Sequence, residues 1–306
     1  MRFGIVILPE YPWREAAPRW HNAEALGFDH AWTYDHLTWA GLADVPWFGT
    51  TPTLTAAATV TSTIRLGTYV TSPNFRHPLT LARDILALDD ISGGRFTCGI
   101  GSGGGLDAAI LGADPLTPRQ TVDRLGEFVA LLDRLLTTDG VDHRGTWFAT
   151  RDARTRPGCV QQPRVPFVMA ANGPRALRLA ATYGSGWVTT GGEPRDHEGW
   201  FASVAELGTR LDGALAAAGR DATTFDRYLS LDVSCYALSS VDLFEEMVGR
   251  AAGLGFTDVI VHYPRAAGVY AGSEDVLATV AADVLPRWRT ATPQPTPAAT
   301  PSVLHP

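Results

Sequence analysis

Apolar positions recur along this chain in short blocks, and the blocks alternate between two spacings. Residues 2–8, RFGIVIL, form a continuous apolar run, as expected of a strand buried on both faces. Residues 15–26 switch to helical spacing and stop at Gly27. A second strand is predicted at 30–33, a helix at 53–60 and a third strand at 64–70. Leu79, Leu81, Ala82, Ile85, Leu86, Leu88 and Ile91 lie close to a 3.6-residue period, which predicts a helix over 78–91. Ser92-Gly93-Gly94 ends it, because glycine accepts the left-handed conformation of a helix exit. A fourth strand at 96–100 runs into the glycine loop 101–105. Thr117 reads as an N-cap and Pro118 as the first residue of a helix reaching about Leu136. Residues 137–164 form a longer insert with a small hairpin at 143–148. Strands at 165–171, 186–189, 228–233 and 258–261 then alternate with helices at 174–183, 198–218, 242–254 and 274–284.

Strand–helix units repeating to eight predict a single α/β domain over 1–288, a (β/α)8 TIM barrel. A doubly wound sheet with an added domain is the alternative. The unit count and the absence of a composition shift favour the barrel. Residues 289–306 are rich in Pro, Thr and Ala and too poor in large apolar side chains to fold, so a tail is expected there.

Composition narrows the function. A hydrophobic content of 45% in 306 residues supports a sizeable core, and a net charge of −7 argues against a nucleic-acid surface. All 25 basic residues are arginine; the chain contains no lysine. Cys98, Cys159 and Cys235 lack metal-ligand spacing and read as buried thiols. The first residues run directly into a strand, with no basic leader and no long apolar span, so a cytoplasmic protein without a membrane segment is expected.

Barrel enzymes build their sites at the C-terminal ends of strands. The polar residues placed there are Asp35 and His36, Thr71 and Ser72, Gly101 to Gly105, Asn172-Gly173, Thr189 to Gly192, Ser234, His262 and Arg265. This set has too few acids and histidines for a barrel metal hydrolase, so no metal is expected. It suits a bound aromatic cofactor instead. Glycine loops would cradle a ring, Trp39 or Trp47 would cover it, and the helix start at Asn172-Gly173-Pro174 would receive a phosphate. Thr189, Thr190 and Gly191 on the next strand strengthen that phosphate site, and Arg195 could add charge. His36, in an aromatic cleft, can move a proton near neutral pH. His262 is a second candidate, facing the substrate pocket.

Four stretches together carry a family resemblance: Tyr34-Asp35-His36, IRLGTYVTSPNFRHPLTLAR, LALDDISGGRFTCGIGSG and NGPRALRLAATYGSGWVTTG. Over residues 1–288 the chain resembles the luciferase-like flavin and deazaflavin oxidoreductases, and most of all their coenzyme F420-dependent branch. The resemblance implies a barrel with a cofactor ring against strands two to four, coenzyme F420 or alternatively FMN, and a homodimer. It implies a non-proline cis peptide at Tyr69-Val70, bulging strand three behind the ring beside Thr71. Gly101, Ser102 and Gly103 would lie by the ring. Gly173 and Thr189 to Gly192 would hold the phosphate.

The sugar-phosphate dehydrogenases of this branch carry a proton-transferring glutamate where this chain has Gly104, and they use lysines that it lacks. Asp107, two or three residues later, is the candidate replacement. The leading expectation is hydride transfer between the deazaflavin and a small organic substrate, with His36 as proton donor or acceptor and Asp35 orienting the ring or the histidine. An FMN-dependent monooxygenase with a reductase partner, and a cofactor-binding barrel without turnover, are the alternatives.

Overall fold

In the computed structural model, which describes residues 1–192 and 196–290, the apolar runs pair as parallel strands around a closed ring. The strands are β1 (Arg2–Val6), β2 (His30–Thr33), β3 (Arg65–Thr68), β4 (Phe96–Ile100), β7 (Phe167–Ala170), β8 (Gly186–Thr189), β9 (Asp226–Ser230) and β10 (Asp258–His262). Between β4 and β7 the insert contributes the antiparallel hairpin β5 (Val141–Arg144) and β6 (Ala149–Ala153). The barrel closes through β1 and β10, from Arg2 opposite Asp258 to Val6 opposite His262.

The surrounding helices are α1 (Trp13–Ala25), α2 (Thr50–Val60), α3 (Pro78–Ile91), α4 (Leu106–Ile110), α5 (Pro118–Thr137), α6 (Pro174–Tyr183), α7 (His197–Ala217) and α8 (Val241–Gly253). The last helical stretch is α9 (Glu274–Thr279), a π-helical turn (Val280–Val284) and α10 (Leu285–Thr290). It outruns the expected end at 284. Arg289, assigned to the tail from sequence, instead pairs with Asp29 at 2.9 Å on the barrel wall. The rest of that tail, 291–306, lies outside the described residues.

Strand alternation sorts the core into two layers. Phe3 and Ile5 face outward into the helix layer with Trp20 and Leu54, whereas Val6, Trp32, Val168, Val188 and Ile260 pack in the barrel interior. The inward position on β3 is Gly67, where a Cβ would stand 2.3 Å from the Trp32 ring. Its missing side chain is the space the indole fills. At the N-terminal end, Asp258 is fully buried and accepts from Arg2 Nε at 2.8 Å and Nη2 at 2.6 Å, with His30 Nε2 at 3.0 Å.

Helix starts follow the expected chemistry. Thr117 and Gln120 cap α5 reciprocally: Thr117 N donates to Gln120 Oε1 at 2.9 Å and Gln120 N to Thr117 Oγ1 at 3.3 Å. The insert hairpin is fastened to α5 by Glu127, which accepts from the amides of Thr146, Trp147 and Phe148. Helix α4 was not foreseen. Its apolar residues Leu106 and Ile110 point to solvent, so no core-facing stripe marks it in the sequence.

Candidate active site

Strand β3 ends at Thr68, short of the expected 70. The Tyr69–Val70 peptide is cis, as the resemblance implied. The register with β4 slips by one residue between the Gly67–Thr97 pair and the Thr71–Ile100 bridge. One extra residue therefore bulges from β3, and Tyr69 and Val70 form a wall at the C-terminal mouth of the barrel. In front of that wall lies a cavity of about 450 Å³. Tyr34, Trp39, Tyr69 and Val70 line one side, Ala170, Ala171 and Val188 the floor, and His36, Ser102, Asn172, Gly173, Thr189 and Thr190 supply its polar edge.

His36 is the histidine lining this cavity, with its side chain 20% exposed. Its Nδ1 lies 2.7 Å from Asp107 Oδ2, and the other oxygen of Asp107 accepts the Leu37 amide at 2.7 Å. The Asp107 side chain is enclosed, 1% exposed, in the first turn of α4. Nδ1 thus carries the hydrogen directed at Asp107, and Nε2 remains the ring nitrogen available to the cavity. Trp47, expected to cover the ring, is absent from the cavity lining; its Nε1 instead donates to the His36 backbone carbonyl at 2.8 Å.

Asp35 does not orient His36, contrary to the expectation. Its buried carboxylate is held by Arg76, through Nη2 at 2.6 Å and Nε at 3.1 Å, and by the Thr71 hydroxyl at 2.5 Å. Successive side chains of an extended segment point to opposite sides, so neighbours in sequence part at the strand end. Asp35 and Thr71 together brace the β2 and β3 loops beneath the cavity. Asp107, far from His36 in sequence, takes the orienting place.

The glycine loop after β4 is shaped by close approach. A Cβ on Gly101 would stand 2.8 Å from Val70 and 3.2 Å from Ala170, both on the cavity wall. Gly103 has φ +66°, and a Cβ there would meet Asn74 at 2.4 Å and Ser72 at 2.7 Å. The loop after β8 is closed by its own polar groups: Thr189 Oγ1 donates to Asn172 Oδ1 at 2.7 Å, Asn172 Nδ2 to the Gly191 carbonyl at 2.8 Å, and Gly191 N to Thr189 Oγ1 at 2.9 Å. Between these loops α6 begins. Gly173 gives no side-chain cap and Pro174 has no N–H, so the amides of Arg175 and Ala176 point outward as donors beside the cavity edge. Arg195 lies outside the described residues.

His262 stands one layer behind the cavity, buried, with Nε2 2.8 Å from the Tyr34 hydroxyl and Nδ1 2.9 Å from Asp232. Tyr34 stacks on Tyr69 with centroids 6.1 Å apart and meets Trp39 edge-on at 5.6 Å. Burial pushes the Tyr34 and Tyr69 hydroxyls upward from the usual phenol value, so both are held protonated. Sequence reading passed over Tyr34 as a candidate and over Tyr270, Asp232 and Arg76 altogether; their only signal was position at or beyond a strand end. Cys98 and Cys159 are buried, and burial raises both thiols. Cys235, expected to be buried too, is partly exposed.

A second cavity, of about 380 Å³, lies between the end of α5 and the insert. Its one carboxylate, Asp139, is already engaged by the Thr155 amide and Arg156, so it offers no unspent chemistry. No described helix is long and apolar enough to cross a membrane.

Residues 1–266 match the sequence profile of the luciferase-like monooxygenases. A 5,10-methylenetetrahydromethanopterin reductase of Archaeoglobus fulgidus is 30% identical over 266 residues, covering 86% of this chain and 71% of that protein. An F420-dependent glucose-6-phosphate dehydrogenase of Beutenbergia cavernae is 35% identical over 205 residues, 63% of this chain and 58% of that one. Among solved structures, the coenzyme F420-dependent tetrahydromethanopterin reductase of Methanopyrus kandleri superposes with a TM-score of 0.75 at 21% identity, over 94% of this chain and 99% of that one; at this identity the likeness is one of fold.

Proposed function

The chain belongs to the luciferase-like monooxygenase family, and from that premise we propose that it is a coenzyme F420-dependent oxidoreductase acting on a small, uncharged organic substrate. The F420-dependent relatives support the cofactor. The observation that carries the reading is the His36–Asp107 pair on a cavity walled by the Tyr69–Val70 bulge.

The cavity fits a flat ring with a phosphate-bearing tail. Gly101 lets the β4 loop pack directly behind Val70 and Ala170, two lining residues of the cavity that a Cβ there would displace. The outward amides at the start of α6, with the Ser102 and Thr190 hydroxyls nearby, offer the donors a phosphate takes. When bound there, F420 supplies or accepts a hydride at the deazaflavin carbon C5. Val70 and Tyr69 would back the ring, and Trp39 and Tyr34 would exclude water from the reacting face. His36 Nε2 takes or gives the proton that accompanies the hydride, and Asp107 stabilises the imidazolium and fixes the tautomer.

The charges near the cavity support a neutral substrate. Arg76 is neutralised by Asp35, Arg265 by Glu10 at 2.7 Å, and Arg124 is turned onto Asn74. With no lysine in the chain and two of these three arginines neutralised, only Arg124, held by the neutral Asn74 amide, keeps an unpaired charge among these described cations to meet a phosphorylated sugar. Anaerobic oxidation of reduced F420 with a panel of small ketones and enones, set beside F420 reduction with glucose 6-phosphate, tests this. Turnover with neutral carbonyls alone is expected; turnover confined to the sugar phosphate would overturn the substrate assignment.

A further inference from the structure

We propose that Tyr34, backed by His262 and Asp232, is a second proton-transfer group of this cavity, distinct from the His36–Asp107 pair. This inference rests on the oxidoreductase reading above and concerns residues outside it.

Asp232 is fully enclosed. Its Oδ1 accepts the Ala237 amide at 2.8 Å, and its Oδ2 accepts both the His262 amide at 2.6 Å and His262 Nδ1 at 2.9 Å. The hydrogen on Nδ1 is therefore committed to the carboxylate, and Nε2 accepts from the Tyr34 hydroxyl at 2.8 Å. Tyr236 donates to the His262 carbonyl at 3.0 Å and pins the residue from the other side. Proton-transferring hydroxyl, base and orienting carboxylate stand in a line, with Tyr34 at the cavity end.

The line also has a way out. The Tyr34 hydroxyl meets the Tyr270 hydroxyl at 3.3 Å, and the half-buried Tyr270 ring stacks on His262 with centroids 3.7 Å apart and planes 7° apart. Tyr270 has φ +61°, a left-handed conformation that a bulky residue adopts only where its surroundings impose it. Arg265 imposes it. Its guanidinium is clamped by Glu10 at 2.7 and 2.8 Å and donates to the Val269 carbonyl at 2.9 Å, while its amide donates to the Tyr270 carbonyl at 2.9 Å. A loop stapled into an unfavoured backbone to set one hydroxyl against another is more than packing requires.

The chemistry calls for two such groups. An alcohol that gives up a hydride from carbon also loses its hydroxyl proton, and the reduced deazaflavin gains a proton on ring nitrogen. In oxidation, the substrate O–H bond breaks and its proton goes to the Tyr34 oxygen. The Tyr34 proton passes to His262 Nε2, and the new imidazolium faces Asp232. The C–H electron pair leaves with the hydride to the coenzyme. The imidazolium then returns its proton through Tyr34 and Tyr270 to water. Reduction runs these transfers backward.

Two measurements test the relay. The first needs no turnover: 15N spectra of the histidine rings in the ligand-free protein. A proton on Nδ1 of His262, with an Nε2 resonance that moves in Tyr34→Phe while the His36 signals stay, supports it. A proton resident on Nε2 overturns it. The second uses F420 with 2-propanol and cyclohexanol as probes. Tyr34→Phe and His262→Gln are expected to lower kcat about tenfold or more, with F420 affinity and KM within about threefold and a changed solvent deuterium isotope effect. Wild-type kcat and isotope effect in a folded Tyr34→Phe protein overturn the relay. Failure of wild-type protein to bind F420 overturns instead the cofactor reading, and the ring spectra then decide the relay alone.

Discussion

At His36 the chemistry depends on a partner 71 positions away along the chain. The sequence placed His36 at a strand end and Asp107 near the glycine loop, but joined neither to the other. Adjacency suggested Asp35 instead. What separates Asp35 from His36 is backbone alternation, and what joins Asp107 to His36 is the long β4 loop, whose helix α4 reaches past the end of β3 to the β2 loop. Only the first of these can be argued from residue order. His36→Asn is expected to lower kcat by about 100-fold or more, the range of a positioned acid–base group, while leaving F420 affinity nearly unchanged. Asp107→Asn keeps the shape and removes the charge, so it should lower kcat similarly. Steady-state kinetics beside F420 titrations separates the two quantities. An Asp107→Asn protein with wild-type kcat would remove Asp107 from the site.

Among the elements, those with a cap and an apolar stripe were legible. The helix predicted at 78–91 and the strands at 30–33, 96–100 and 186–189 have the bounds read from sequence. Those without such marks were not. Helix α4 exposes its apolar residues, and β3 ends at Thr68, short of the expected 70, where one residue bulges before the Thr71–Ile100 bridge. The insert hairpin was expected at 143–148, which covers its turn but stops before its second strand at 149–153, and what fastens it was hidden. Burial acts to raise the Glu127 carboxyl, but hydrogen bonds from the Phe148, Trp147 and Thr146 amides and from His143 outweigh it and hold the group below its usual range. Glu127→Ala should release this clasp. Hydrogen exchange across 141–153 is expected to speed up while the barrel strands keep their protection. Unchanged exchange in the hairpin would show that its fastening lies elsewhere.

Over the whole molecule the barrel is closed by charge as well as by packing, and this sets a pH dependence. Burial tends to raise the Asp258 carboxyl, yet its bonds to His30 and Arg2 hold it below the usual range. Glu24 follows the same pattern: burial opposes, but the Ile64, Thr63 and Ser62 amides bring it down to about 2. A carboxyl lowered in the folded state stabilises the fold above its unfolded value, 4.5 for this glutamate, and loses that stabilisation as pH falls through the folded value. Denaturation midpoints should therefore fall steeply between about pH 4.5 and 2, the window between those values. Glu24→Gln should be less stable at pH 7 and flatter across the acid range. A Glu24→Gln protein with the wild-type acid slope would contradict this.

Fold and family were legible over this whole length because eight apolar strand–helix units repeat and four stretches of text match in order. The cofactor followed only through that resemblance. The account therefore stands on what the barrel mouth binds. Titration of the purified protein with coenzyme F420 and, separately, with FMN tests it most directly. Saturable F420 binding, weakened when Gly101→Val displaces the Val70 and Ala170 walls of the cavity, is the predicted result. Tight FMN binding with no binding of F420 would contradict it.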